Sequence, residues 1–375
     1  MNIGFDAKRI VQNNTGLGNY GRNLVEILSR LYPDNHYYLY APKPKKNERL
    51  NILNSQSNVS FIFPLGLDRI IPTIWRTFSI GKDLTNNKLN IFHGLSNELP
   101  VGIRRKKIKT ILSIHDLIFL RYPEFYKPVD RWLYKWKFRR SCLIADKIIA
   151  MSECTKRDII SFFDIPEEKI AVVYQGCHPQ FHLKVTDEKK QEIQEKYKLP
   201  SRFLLCVGSI ESRKNLLLAV KALSRLPEDI HLVAIGKSTP YQTDVETFAR
   251  QSGLESRLHI RNNFHFNDLP AVYQSAEIFI YPSFFEGFGI PVVEALSSGV
   301  PVIAATGSCL EEAGGHDSIY VNPENDKELS DRILEIVNNE SLAKKMKEAG
   351  KIYAQRFNEE KIASELINIY QTLNS

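Results

Sequence analysis

The sequence has no apolar stretch that approaches the ~20 residues a membrane-spanning helix needs. Its opening, MNIGFDAKRI, lacks a basic segment followed by an apolar run, so no secretory leader is expected. Cysteine is sparse: five in 375 residues, at 142, 154, 177, 206 and 309, the nearest two twelve apart. An odd count at such spacing fits neither a disulfide framework nor a metal-ligand cluster. Apolar company, as in LLCVG, points to buried, reduced thiols and a cytoplasmic chain. Short-period repeats and low-complexity tracts are also missing, which excludes a solenoid or a disordered array.

What is present is an ordinary globular composition, 43% hydrophobic and 25% charged, long enough for two domains. The charge is unevenly spread. Residues 101–150 hold 13 Lys and Arg against 4 Asp and Glu, a net +9, so the remainder of this +7 chain sums to −2. Two stretches make the excess, RRKKIK (104–109) and RWLYKWKFRR (131–140). Such asymmetry marks either solvated basic side chains or a surface for an anionic partner. In the second stretch Trp132 and Trp136 share one helical face, with Lys135 and Arg139 on others. The tryptophans would then either pack into a core or lie at a lipid interface.

Short apolar runs alternate with helical patterns along the whole chain. Strands are expected within 2–6, 36–41, 58–64, 89–94, 109–115, 146–152 and 169–176. The second half adds 202–208, 230–236, 258–264, 276–283, 300–305 and 318–322. Continuous rather than alternating apolar runs, separated by helices such as 19–31, 215–226 and 328–339, indicate parallel sheets covered on both faces. The rhythm breaks at 177–200, an irregular stretch and then a charged helix ending at Pro200. This gives an α/β chain of two Rossmann-like, doubly wound domains, 1–180 and 181–375, with the last helical pattern returning to the first domain. In such sheets ligands bind beyond the carboxyl ends of the strands, so a cleft between the domains is the expected site.

FEGFGIPVVEALSSGVPVIAA (285–305) places Glu286 and Glu294 eight residues apart, around two glycines and a proline. The strand before it ends near Ser283, and Pro291 suits a first helical turn. Gly287 and Gly289 allow close backbone approach to a ligand. The amides of Phe288, Gly289 and Ile290 then form a cradle for an anion or hydroxyl at a helix N-terminus. Glu286 falls on the loop and Glu294 in the first helical turn; both carboxylates are strong acceptors for sugar hydroxyls.

EGFGIPVVE followed by ALSSGVPVIA resembles the E-x7-E signature of retaining GT-B glycosyltransferases, in particular glycosyltransferase family 4. Other stretches are similar in order and spacing: GSIESRKN (208–215) to the family's diphosphate loop, NTGLGNY (14–20) to its N-terminal glycine loop, and SIHD (113–116) to its cleft histidine. The resemblance spans nearly the whole chain. It implies that Arg213 and Lys214, with the Gly208–Ser209 turn, neutralise the diphosphate of a nucleotide sugar, where cleavage develops negative charge. It implies that Glu294 holds the ribose, that Glu286 and amides 288–290 hold the donor sugar, and that His115 meets that sugar by its ring or its carbonyl. Asp116 beside it would orient a side chain or cap. Gly16 and Gly18 would approach the diphosphate, and Asn263, Phe264 and His265 the nucleobase.

The expected reaction is hexosyl transfer, retaining, from a GDP- or UDP-sugar to a glycan or lipid-linked glycan of a surface polysaccharide. No cofactor and no nucleic-acid partner are expected. Asp-x-Asp, the acid pair with which metal-dependent transferases of the other major fold hold their ion, does not occur, and Arg213 and Lys214 offer a substitute charge. An anionic membrane surface met through 101–150 would make the protein peripheral on the inner face. A nucleotide-sugar epimerase on the same fold, or a non-catalytic nucleotide-sugar-binding partner, are the alternatives. Donor turnover by the isolated protein separates them.

Overall fold

The computed structural model describes residues 1–13 and 16–375. It divides into two compact units: Met1–Gln175 with Glu359–Ser375, and Gly176–Asn358. All thirteen expected strands form, twelve of them trimmed at their ends. The stretch 58–64 becomes Val59–Ile62, and 169–176 becomes Ile170–Val172.

The first unit holds a seven-stranded sheet of β1 (Asn2–Asp6), β2 (His36–Tyr40), β3 (Val59–Ile62), β4 (Ile91–Gly94), β5 (Lys109–Ile114), β6 (Lys147–Ala150) and β7 (Ile170–Val172). Its order is β3-β2-β1-β4-β5-β6-β7, with every pairing parallel. The order reverses between β1 and β4, so the carboxyl ends of these strands flank a switch point, where such sheets bind ligands. The second unit has β8 (Phe203–Val207), β9 (His231–Ile235), β10 (Leu258–Arg261), β11 (Ile278–Tyr281), β12 (Val302–Ala305) and β13 (Ile319–Val321), in the order β10-β9-β8-β11-β12-β13. Here β8 and β11 are neighbours, Leu204 opposite Ile278 and Leu205 opposite Phe279. The loops that follow these two strands, 74 residues apart in sequence, therefore leave the sheet side by side.

The last helix, Glu359–Asn374, belongs to the first unit, where the Tyr370 hydroxyl is 2.7 Å from His93 Nδ1 and Arg30 pairs with Glu359 at 2.5 Å. The basic stretch 131–140 lies in the helix Pro128–Ile144, which starts on a proline at its first turn. Its inward face presents Tyr134 and Phe138 to Phe119, ring centroids 5.8 and 5.3 Å apart. Trp132 (71% exposed) and Trp136 (55%) point outward, so neither is a core residue. Lys135 and Arg139 are exposed beside them.

Candidate functional site

The two loops after β8 and β11 meet at one carboxylate. Arg213 and Lys214 lie in a single 3₁₀ turn, Ser212–Lys214, rather than at the start of a helix. Asn215 then takes a left-handed conformation, held by bonds from its side-chain amide to the carbonyls of Pro282 and Pro323. The backbones are stitched together as well. The Phe284 amide donates to the Arg213 carbonyl at 2.9 Å, and Arg213 Nη1 donates to the Phe285 carbonyl at 2.6 Å. This crossing sets both cations against Glu286. Lys214 Nζ reaches Glu286 Oε1 at 2.6 Å and Arg213 Nη1 at 2.9 Å, while the Ser283 hydroxyl donates to the same oxygen at 2.6 Å. Lys214 Nζ also donates to the Tyr281 hydroxyl at 2.5 Å.

All three donors meet Oε1, so Oε2 carries none of these bonds. Burial pushes the Glu286 carboxyl up, but the charges of Lys214 and Arg213 outweigh it and hold its pKa down at about 2. Glu286 is thus an ionised carboxylate with one oxygen saturated by cations. Burial works against the Lys214 ammonium, and Glu286 offsets part of that. Cys309, fully buried, donates its thiol to the carbonyls of Glu286 and Phe288, both at 3.0 Å, and so fixes the loop from behind.

Beyond Glu286 the chain passes Gly289, at φ +118°, where a Cβ would lie 2.8 Å from Leu310. The helix Ile290–Ser297 starts there, with Pro291 in its first turn as expected. Phe288 is buried against Phe357, centroids 5.3 Å apart. Glu294 is the fifth residue of this helix, one residue past the expected first turn, in which no acid lies. Its Oε2 accepts a 2.9 Å bond from the buried Tyr273 hydroxyl. Burial raises the Glu294 pKa to about 7, although the Tyr273 bond opposes this. The two glutamates of the motif thus differ: one is held ionised by cations, the other is balanced near neutrality.

Gly208 and Ser209 follow β8 and, with Lys214, Tyr281 and Pro282, line a small pocket. Gly236, at the tip of β9, supports that turn. A Cβ on Gly236 would come within 1.7 Å of the Gly208 carbonyl oxygen, backbone that cannot rotate away. Gly236→Ala is therefore expected to destabilise the protein by about 1–3 kcal/mol and to lower donor affinity by displacing the Gly208 turn. Thermal melts with and without nucleotide measure both effects. Phe264 stacks on Tyr197 at a centroid distance of 3.8 Å, and Asn263 and His265 are exposed beside it.

The remaining expected residues lie in the first unit. The motif 14–20 begins with Asn14 and Thr15, which lie outside the described residues. Gly16–Leu31 is helical, so Gly16 and Gly18 open a helix rather than form an extended loop. Gly16 has open space around its Cβ position. Gly18 is different: a Cβ there would lie 1.9 Å from the Asn13 carbonyl oxygen, so it serves packing against the preceding turn. His115 follows β5 and is buried. Its Nε2 is 2.8 Å from the Leu95 carbonyl and its Nδ1 3.4 Å from the Gln175 amide, and its own carbonyl accepts from Thr155. Burial lowers its pKa to about 4, so the ring is neutral, with the proton on Nε2 toward Leu95. The Asp116 side chain accepts from the Ile118 amide, a local turn.

The sequence assigns no role in the site to Tyr281, Ser283, Tyr273 or Cys309, the last being expected only as a buried thiol. The first two carried a weak signal, being polar residues at a strand tip within IYPSFFEG. The other two carried none.

Two family models match the chain, Glycosyltransferase Family 4 over 15–181 and Glycosyl transferases group 1 over 187–371. Together they leave only 1–14, 182–186 and 372–375 unmatched. O-antigen chain mannosyltransferase B of Escherichia coli is 28% identical over 296 residues, 77% of this chain and 76% of that one. Serotype-specific mannosyltransferase WbdA, also of Escherichia coli, is 30% identical over 261 residues, 66% of this chain and 31% of that longer protein. The solved structure of Anabaena HepE in complex with UDP and glucose superposes with a TM-score of 0.78 at 16% identity, covering 99% of this chain and 100% of that one, a likeness of fold. Matched in both halves, and carrying EGFGIPVVE between β11 and its helix, the chain belongs to glycosyltransferase family 4, the group 1 glycosyl transferases, and has the GT-B fold of two Rossmann-like domains.

Proposed function

We propose that this glycosyltransferase transfers a hexose, with retention, from a nucleoside-diphosphate sugar to a glycan or lipid-linked glycan of a surface polysaccharide. The observation that carries the reading is the meeting of Arg213 and Lys214 at Glu286 Oε1. The two cations neutralise the leaving diphosphate, whose negative charge grows as the glycosidic bond breaks. Glu286 Oε2 accepts from a hydroxyl of the donor sugar and fixes the ring relative to that phosphate. Glu294 and Tyr273 take the ribose hydroxyls. Phe264 gives the nucleobase a stacking surface. His115, neutral and oriented by Leu95 and Gln175, is assigned to the donor sugar by the family resemblance.

The mannosyltransferase relatives make mannose the leading sugar, and the HepE complex makes UDP a nucleotide to include. A panel of GDP- and UDP-hexoses screened by thermal shift tests the reading. A true donor at 100 times its dissociation constant stabilises by about 2.7 kcal/mol. Release of nucleoside diphosphate with formation of an α-linked product confirms transfer; an epimerised donor without transfer overturns it.

The reaction is proposed to need no metal, because Asp-x-Asp is absent from the sequence and two side chains supply the positive charge. Turnover is expected to persist in excess EDTA. Loss of activity that magnesium or manganese restores would overturn this.

The acceptor is proposed to sit at an anionic membrane that the protein meets through 101–150. Arg104, Arg105, Lys106 and Lys107 are all exposed, as are Lys135 and Arg139 beside the outward Trp132 and Trp136. Each such cation adds about 1 kcal/mol near an anionic surface. Lys135→Glu with Arg139→Glu is expected to abolish binding to anionic vesicles without lowering the melting temperature.

A further inference from the structure

The densest run of outward apolar side chains in the described residues is not in the basic region but before it. Leu65 (83% exposed), Leu67 (85%), Ile70 (74%) and Phe78 (61%) face outward together with Ile71 and Ile74. Single exposed apolar residues are normal, but six within fourteen positions form a patch that calls for a partner.

The segment is a fixed platform rather than a loose loop. A 3₁₀ turn (Gly66–Arg69), a short helix (Pro72–Ile74) and a π-turn (Trp75–Ser79) follow one another. Pro72, Trp75 and Ile80 are buried beneath it, and Trp75 Nε1 donates to Asp83 at 2.7 Å. Arg76 is anchored at 2.5 Å to the buried Asp6 and at 3.2 Å to Glu98. With its inward residues so fastened, the segment holds its apolar residues out.

The platform adjoins the basic surface. The Val101 amide donates to the Thr77 carbonyl at 2.7 Å, and Lys106 Cε lies 3.0 Å from the Cβ position of Gly81. Glu98, which holds Arg76, also receives Lys137 of the helix Pro128–Ile144 at 3.3 Å. Apolar segment, basic turn 104–107 and tryptophan-bearing helix are therefore neighbours. Exposed Arg69 and Lys82 continue the positive charge along the segment. Of its acids, Asp83 is engaged by Trp75 and only Asp68 is left beside the patch.

We propose that residues 65–78 insert their apolar side chains into an anionic lipid bilayer while the neighbouring cations bind its headgroups. Large aliphatic and aromatic groups ringed by Lys and Arg are what an interfacial segment requires. A second copy of the chain is a poorer occupant, because a two-fold contact would set these cations against themselves. The inference rests on the membrane part of the proposed function and adds the inserting element, which charge alone does not supply.

The test is flotation of the full chain with vesicles of phosphatidylcholine alone and of phosphatidylcholine with an equal amount of phosphatidylglycerol. Wild type should bind the anionic vesicles. Ile70→Ser/Ile74→Ser/Phe78→Ser should bind them at least tenfold more weakly, with unchanged melting temperature and unchanged thermal shift by nucleotide. A Phe78→Trp reporter in a Trp132→Phe/Trp136→Phe background should be quenched by brominated acyl chains. If the serine variant floats like wild type while Lys135→Glu/Arg139→Glu does not, insertion is overturned and the charge-based reading stands. Should wild type bind neither vesicle, both fall, and donor turnover in solution still tests the enzymatic reading. A sedimenting dimer that the serine variant disperses would overturn the proposal in favour of self-association.

Discussion

Lys214→Ala is expected to weaken binding of UDP or GDP by roughly 10- to 100-fold, the loss of a charged hydrogen bond of about 1.5–3 kcal/mol, and to leave uridine or guanosine binding unchanged. Arg213→Ala should behave similarly. The mirror variant, Glu286→Gln, should do the opposite to the free nucleotide. In the native chain both cations spend part of their field on Glu286 Oε1, at 2.6 and 2.9 Å. Removing that charge leaves them to the diphosphate, so nucleoside-diphosphate affinity should hold or rise. Transfer should nevertheless fall by about 100-fold, because the donor sugar loses the acceptor that orients it. Titration calorimetry with nucleoside and nucleoside diphosphate, beside initial rates, separates the two effects. Equal losses for nucleoside and diphosphate in Lys214→Ala would refute the assignment of this loop.

Nothing in the sequence foretold that antagonism. GSIESRKN and EGFGIPVVE could each be read locally as a cationic loop and an acidic loop. Their meeting depends on β8 pairing with β11, across 72 residues between Lys214 and Glu286. The strands themselves were legible because burial on both faces of a parallel sheet demands unbroken apolar runs, and such runs are visible one by one. Contacts between strand tips carry no such local mark. Gly236 shows this, since its need for a bare Cα arises from the Gly208 carbonyl of a neighbouring strand. The expected register of Glu294 is off by one residue because the helix starts at Ile290, directly after Gly289 in its left-handed conformation, and not at Pro291. The exposure of the 65–78 segment is hidden in the sequence for the reverse reason. Leu, Ile and Phe at helical spacing read as core, and only the fold reveals that they face outward.

The pH response of the paired glutamates should distinguish their roles. Glu294, raised by burial to about 7 from an ordinary 4.5, keeps its proton in the folded state while the unfolded chain has lost it. Between these two values the folded protein binds more protons than the unfolded one, so this group makes stability fall as pH rises, by about 3 kcal/mol over the whole window, and levels off above it. Glu286 has the contrary sign. Lowered to about 2, it contributes stability that is present above pH 4.5 and is lost as pH falls toward 2. Glu294→Gln, which keeps an acceptor for Tyr273, should therefore be more stable than wild type at pH 8 and nearly equal to it at pH 4.5. If the ribose hydroxyls are held by the ionised carboxylate, nucleotide binding must first remove its proton. Wild-type affinity for UDP or GDP should then rise about tenfold from pH 6 to pH 8 and release a proton on the way, whereas Glu294→Gln should bind weakly and without that slope. A wild-type affinity that is flat across this range, with no proton released in buffers of different ionisation enthalpy, would place the ribose elsewhere and leave Glu294 a partner of Tyr273 alone.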